Sequence, residues 1–274
     1  YENIGICHRF MENYDSAFFY YQKVLQIRED AFGPDHWRLA NTYRNLGWIY
    51  EYMNQPDAAW EHLSRGNTLW LKTAGYNHPD VAMSFAGLGS FCFKTGEYEK
   101  ALAYIQKGIL SSIGKLESSI GKPDLTFNPD IELSSERTEF LEFLKHKGQS
   151  AAGLYRQQPE NREMLNIAFE TYQHSIRQLD KFRNSLKSSG AANQYSSKYI
   201  SLFEGTIGTA FQLYHVSGET KYLKHAFDAS ERGKAFILNQ TLQDSKAKQF
   251  AGIPNELLQK ETEIEVEITY HEKV

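Results

Sequence analysis

One interval constrains this chain more than any other property. Laid over each other, "AFGPDHWRLANTYRNLGWIY" (residues 31–50) and "TAGYNHPDVAMSFAGLGSFC" (residues 73–92) match at a stride of 42 residues. Gly33 falls on Gly75, His36 on His78, Ala40 on Ala82, and Leu46–Gly47 on Leu88–Gly89. The stride runs back to Gly5, and Ala17, Ala59 and Ala101 form a further column. A repeat of this length is one supersecondary unit that cannot bury its apolar face alone, so neighbouring units must stack.

Each unit reads as two helices. The first holds "NIGICHRF", "NLGWIYEY" or "GLGSFCFK", and the second "DSAFFYYQKVLQI", "DAAWEHLSRGNTLW" or "EKALAYIQKGILSS". Apolar residues recur three and four apart, as at Ala17, Tyr20, Tyr21, Val24 and Ile27. Asn13, Asn54-Gln55-Pro56 and Thr95-Gly96 mark the turns between the two helices. Glycine on the first helix and alanine on the second are small because the backbones approach closely there; a larger side chain would force them apart. Between units, "GYNHPDVA" places Pro79 at a first helical position and Asp80 in the first turn, where the helix dipole favours negative charge. In the preceding loop Asp35 reads as the cap.

Composition narrows the functions open to such an array. A net charge of −4 and a pI near 6.2 supply none of the basic stripe that nucleic acid requires. No uncharged run approaches the 18–20 apolar residues of a membrane-spanning helix, so no membrane partner is expected. Two cysteines, Cys7 and Cys92, are too few for a disulfide scaffold. The chain opens on Tyr1 and ends on the charged run "KETEIEVEITYHEKV", and it reads as a piece of a longer protein.

The pattern resembles the tetratricopeptide repeat, with small residues where helices cross and aromatic residues filling between. The ordinary period of that family is 34 residues. The 42-residue stride with G-x-x-H-P-D-x-A between units is similar to the longer-helix form of kinesin light chains and many bacterial arrays. The resemblance implies an all-α fold, a right-handed superhelix (α-solenoid) of antiparallel helix pairs, whose concave surface holds a peptide or another domain.

Residues 1–112 form three such repeats, the first truncated at its start. Residues 113–135 are dense in Gly, Ser, Pro and Asn and read as a loop or mobile insert. Helical signal returns over 136–247 as degenerate helix pairs. Phe169, Tyr172, Ile176, Leu179 and Phe182 mark one apolar stripe there, and Gly205, Gly218, Tyr222 and Ala226 echo the repeat. Residues 248–274 read as a connector helix starting near Pro254, although "IEVEI" alternates like a strand and leaves the last ten residues open. Residues 166–183, "NIAFETYQHSIRQLDKFR", and 226–261, "AFDASERGKAFILNQTLQDSKAKQFAGIPNELLQKE", resemble the region preceding the CHAT domain in bacterial proteins that join tetratricopeptide repeats to a caspase-like protease. That resemblance implies a non-catalytic scaffold with a CHAT domain following in cis. The alternative is a free-standing adaptor or cargo-binding protein with no protease attached.

Catalytic residues are not expected within these residues, and no cofactor is implied. Cys7 and His8 are adjacent on a helix and project about 100° apart, and Cys92 sits where the pattern wants a buried small residue. His36 and His78 lie one repeat apart, too far to share a metal ion, and a role at a helix end suits both. No phosphate-binding glycine motif occurs. By register, the residues facing the groove are Asn3, Arg9 and Phe10, then Asn41, Arg44, Asn45, Trp48 and Tyr52, then Phe93 and Lys94. Ile6, Met83 and Ser90 accompany them. Asn3 and Asn45 match asparagines that hydrogen-bond a ligand backbone in arrays of this kind, while Gly87 departs from that column. Such a groove suits an extended apolar or mildly acidic peptide. The same side chains could instead pack on neighbouring helices or on the chain's own second half.

Overall fold

The computed structural model describes residues 1–116, 123–133, 139–185 and 199–250, with side chains given as far as Arg183 and then from Tyr199 to Ala235. Among the described residues every regular element is a helix. They are α1 (Glu2–Phe10), α2 (Tyr14–Phe32), α3 (Ala40–Tyr52), α4 (Pro56–Ala74), α5 (Pro79–Lys94), α6 (Tyr98–Ser112), α7 (Glu139–Gln157), α8 (Arg162–Ser185), α9 (Ile200–Ser217) and α10 (Lys221–Phe250). A short 3-10 turn, Trp37–Leu39, leads into α3. Each helix packs on the next in sequence, and α3, α5, α7 and α9 also touch one another in series. The first helices of the pairs thereby form one layer and the second helices the other.

The stride seen in the sequence is a packing rule. A β-carbon on Gly5 would stand 3.1 Å from the Tyr21 ring, one on Gly47 would stand 2.7 Å from Leu63 Cγ, and one on Gly89 would stand 2.6 Å from Ile105 Cγ1. Tyr21, Leu63 and Ile105 are themselves one stride apart, so each glycine admits the same large residue of its own second helix. Ala17, Ala59 and Ala101 beside them exclude solvent completely. A further column went unnoticed in the sequence. A β-carbon on Gly66 would lie 2.8 Å from Ala40 O and one on Gly108 would lie 3.2 Å from Ala82 O, so the pair closes tightly at its other end too.

Turns and loops repeat as well. Glu12, Asn54 and Gly96, one stride apart, all take positive φ (57°, 56° and 79°) to turn the first helix into the second. His36 and His78 both sit at helix starts, where Nδ1 accepts the backbone N–H of Arg38 and of Asp80 at 3.2 Å. Asp35 is not the cap that the sequence suggests. Its carboxylate reaches back to Arg65 (2.7 Å) and Lys72 (3.5 Å) on α4, and the Arg65 hydrogen bond leads the causes that hold it below the usual carboxylate range.

Past Ser112 the rule changes. The stripe Phe169, Tyr172, Ile176, Leu179 and Phe182 is buried throughout. Tyr172 is wedged between two glycines of different pairs: a β-carbon on Gly148 would stand 2.8 Å from its ring, and one on Gly205 closer still. Gly218 ends α9 in a left-handed conformation, Tyr222 meets Phe169 edge-on at 5.4 Å, and Ala226 is buried. Of the segment read as a mobile insert, residues 123–133 have neither helix nor strand, yet they are seated against the array: Leu125, Phe127 and Ile131 pack on the core and Leu133 is buried. Of the connector expected over 248–274, residues 248–250 end α10 and the remainder, with its alternating "IEVEI", lies outside the described residues.

Candidate functional site

The first helices line an open cleft of about 310 Å³ whose walls come from α1, α3, α5 and α7. Arg9 comes from α1, Trp48 and Tyr52 from α3, and Met83, Ser90 and Lys94 from α5, with Gly87 among the lining of that same helix. Gly87 is buried, and a β-carbon on it would meet Leu63 at 3.6 Å and Trp48 Nε1 at 4.0 Å, ordinary contact distances.

Charge is concentrated at Trp48. The Arg44 guanidinium lies over its ring at 5.1 Å and that of Arg9 at 5.8 Å; Arg9 also covers Phe10 at 4.6 Å. Cation–π contacts of this kind contribute ~0.5–2 kcal/mol, more where water is excluded. Among the described residues neither arginine forms an ion pair, and both Nε atoms are buried without a hydrogen-bond partner. Burial pulls the Arg44 pKa below its ordinary value, opposed by the charge of Asp80, yet a guanidinium stays protonated through such a shift. Lys94 is tied to Glu51 and lies 5.5 Å over the Tyr52 ring, which stacks in turn on Tyr14 at 4.6 Å.

The residues singled out in the sequence divide by position. Arg9, Trp48, Tyr52 and Lys94 line the cleft, and Arg44 stands behind Trp48. Asn3 and Phe10 are exposed at the outer end, and Asn45 is half-buried in the same repeat column as Gly87. Two are engaged elsewhere: Asn41 Oδ1 accepts the Trp70 indole N–H at 3.4 Å, and Phe93 packs against Tyr98 with ring centres 5.6 Å apart. The sequence missed the opposite wall, Glu139, Glu142, Phe143 and His146 of α7. No repeat register carries across residues 113–138, so nothing in the pattern pointed there. Burial and the neighbouring Lys145 charge depress the His146 pKa, which keeps the ring neutral at pH 7.

The two cysteines differ in their surroundings. Cys92 excludes solvent and burial pushes its thiol up to about 11, far from a thiolate at neutral pH. Cys7 is exposed, and the neighbouring His8 ring stacks on Tyr20 at 5.4 Å. Among the described residues no three His, Cys, Asp or Glu side chains converge as metal ligands, and no helix is long and apolar enough to cross a membrane.

Comparison with known proteins places this architecture. Residues 1–66 and 84–112 each match a family model described as tetratricopeptide repeat. No curated protein sequence matches the chain. Among solved structures, a Podosopora anserina protein of nearly identical TPR-like repeats, assigned as a kinesin light chain, is 14% identical with a TM-score of 0.58, over 86% of this chain and 92% of that one. BtubC (BKLC) from P. vanneervenii is 12% identical with a TM-score of 0.60, over 86% of this chain and 78% of that one. At such identities the likeness is one of fold. Over the described residues this chain is a helical array of tetratricopeptide-like repeats, and its structural neighbours are solenoids of the same kind, kinesin light chain-like proteins among them.

Proposed function

We propose that the array is a non-catalytic scaffold that holds an extended segment of a partner protein in the cleft between α1, α3, α5 and α7. One observation carries the reading: two guanidinium groups meet at Trp48, and among the described residues neither has a carboxylate partner. Arg44 is largely withdrawn from water and the nearby Asp80 charge offsets that only in part, so an acidic side chain brought by a ligand would lower the cost. Trp48 and Tyr52 offer the broad apolar contact on which hot spots are built. Asn3 and Asn45 are suited to the ligand backbone, as the family resemblance implies. The ligand that fits is an extended peptide, apolar with an acidic residue.

Synthetic peptides differing only in Glu-to-Gln exchanges, titrated against the chain by fluorescence anisotropy, test this directly. The acidic forms bind, and Arg44→Glu or Trp48→Ala weakens them at least about tenfold, the loss of one charged or aromatic anchor. Binding indifferent to the acidic residue and to both substitutions would remove the groove from consideration.

The finer reading is that the array recognises its partner on behalf of a CHAT protease-like domain in cis. It rests on residues 166–183 and 226–261, whose sequence resembles the connector of such proteins. A partner in the groove would alter the curvature of stacked helices, and α10 would carry the change onward. Protease activity of a full-length protein bearing Trp48→Ala or Arg44→Glu tests the coupling; activity unchanged by partner and by both substitutions rejects it. A coding sequence without a His-then-Cys peptidase domain after Val274 would leave a free-standing adaptor.

A further inference from the structure

Residues 123–133 lie across the other layer of the array, between α6 and α8 and above α7. A turn at Leu125–Thr126, in which Asp124 Oδ1 accepts the Thr126 N–H at 2.8 Å, leads into the strap. Beyond it Phe127, Pro129, Ile131 and Leu133 turn to the protein together with Asn128, while Asp130 and Glu132 are exposed. That is the period of an extended peptide laid on a surface. The floor beneath is polar. Gln106 donates to Phe127 O (3.0 Å), Lys147 to Phe127 O (2.9 Å) and Asn128 Oδ1 (2.8 Å), and His174 Nε2 meets Pro129 O at 2.9 Å. Thr171 pairs with the Asn128 amide, and Gln178 with Asp130.

These five floor residues are buried, Lys147 completely, and each of them bonds to the strap. Among the described residues Lys147 has no ion pair. Lysine and glutamine are seldom buried to this degree, and here each is held by its hydrogen bond to the strap, so without the strap these groups would have to turn to water. A polar floor is what a cleft needs if it must also stand open to water. Main-chain carbonyls take the central hydrogen bonds and alternate side chains fill the apolar positions, which is how extended peptides are recognised in general.

We infer that the cleft between α6 and α8, floored by α7, is a second recognition site for an extended peptide, and that residues 123–133 occupy it in cis. Its ligand class is an extended segment with apolar residues at alternate positions around an Asn-Pro-Asp step. The site is distinct from the inner groove and does not depend on it.

The experiment replaces residues 123–133 of the full chain by Gly and Ser at equal length and titrates the product with a labelled synthetic peptide PDLTFNPDIEL. The replaced chain stays helical by circular dichroism and binds the peptide saturably in the micromolar range. Phe127→Ala in the peptide and Lys147→Met in the protein each weaken binding at least about tenfold; every chain compared carries Arg44→Glu, which removes the inner groove as a competing site for this acidic peptide. The chain that keeps residues 123–133 binds the same peptide at least about tenfold more weakly, because its own strap competes. A folded replaced chain that ignores the peptide overturns the proposal. So does a replaced chain that fails to fold, for the strap would then be a fixed part of the core.

Discussion

The two halves of the array solve the same problem differently. In residues 1–112 each helix pair closes on itself: Gly47 admits Leu63 and Gly89 admits Ile105, always within one unit. In residues 139–217 a single ring, Tyr172, fills the space left by Gly148 in its own pair and by Gly205 in the next. The first arrangement can be repeated, because its closest approaches fall within one unit, while neighbours meet through contacts such as the buried Asn67–Ser84 hydrogen bond. The second ties α7, α8 and α9 into one body and cannot be copied unit by unit. A regular array presents a graded surface, whereas a locked end resists bending.

Truncating the locking ring should therefore have the largest effect. Tyr172→Ala is expected to cost ~4 kcal/mol in urea denaturation, at the upper range for a buried aromatic, since it opens space on two sides. Gly148→Ala and Gly205→Ala should each be severe in the native chain and mild in the Tyr172→Ala background. Additive costs would mean that the two glycines do not share the ring.

The strap provides the next contrast, for no residue of the regular half resembles Lys147. Burial pulls its ammonium down to about 7, from 10.5 in an unfolded chain. Between those values the unfolded state binds more protons, so stability must rise with pH above about 7. The rise should approach ~1.4 kcal/mol per pH unit for one proton. It is cleanest from pH 7 to 9, because the buried Cys92 thiol, held up to about 11, works in the opposite direction above 9. Denaturation midpoints of Lys147→Met measured across that window should lose the slope; an unchanged slope would assign it to other groups.

Gly89→Ala comes third, at ~2 kcal/mol, because the added methyl would press on Ile105 Cγ1 and its backbone nitrogen. Gly208→Ala in α9 is the control. Nothing lies within 4 Å of its β-position, so the change should stabilise by ~0.5–1 kcal/mol through helix propensity alone. Equal effects at the two sites in thermal denaturation would mean that close approach is not why the stride carries glycine.

How much of this the sequence disclosed follows the same division. Helix pairs and crossing points of the first half were legible because each recurs: His36 and His78 do one job twice at helix ends, although Asp35 was read as the cap, and Gly5, Gly47 and Gly89 do another three times. Half of the groove followed from register, from Arg9 through Trp48 to Lys94. Its α7 wall did not, since Glu139 and His146 have no counterpart one stride earlier to reveal which way they face. Asn41 and Phe93 went astray for a related reason: register gives a direction, but Trp70 and Tyr98 claimed those side chains first. The strap was legible in principle. Leu125, Phe127, Pro129, Ile131 and Leu133 alternate in plain view, but the density of turn residues around them masked a period of two.

The smallest effect probes the turn column itself. Glu12, Asn54 and Gly96 share a left-handed conformation, which asparagine and glycine accept readily and a longer side chain does not. Glu12 should therefore carry ~1 kcal/mol of strain that its equivalents avoid. Glu12→Gly is expected to recover most of it, less the extra chain entropy that glycine loses on folding. Gly96→Glu should cost a similar amount in reverse, with little else disturbed, because only Gln157 lies near its β-position, at 3.9 Å. Opposite signs at the two positions, read as shifts in melting temperature, would establish that the turns are interchangeable parts. The same sign at both would mean that the first turn has a geometry of its own, and that the repeat is less exact at its N-terminal end than its residues suggest.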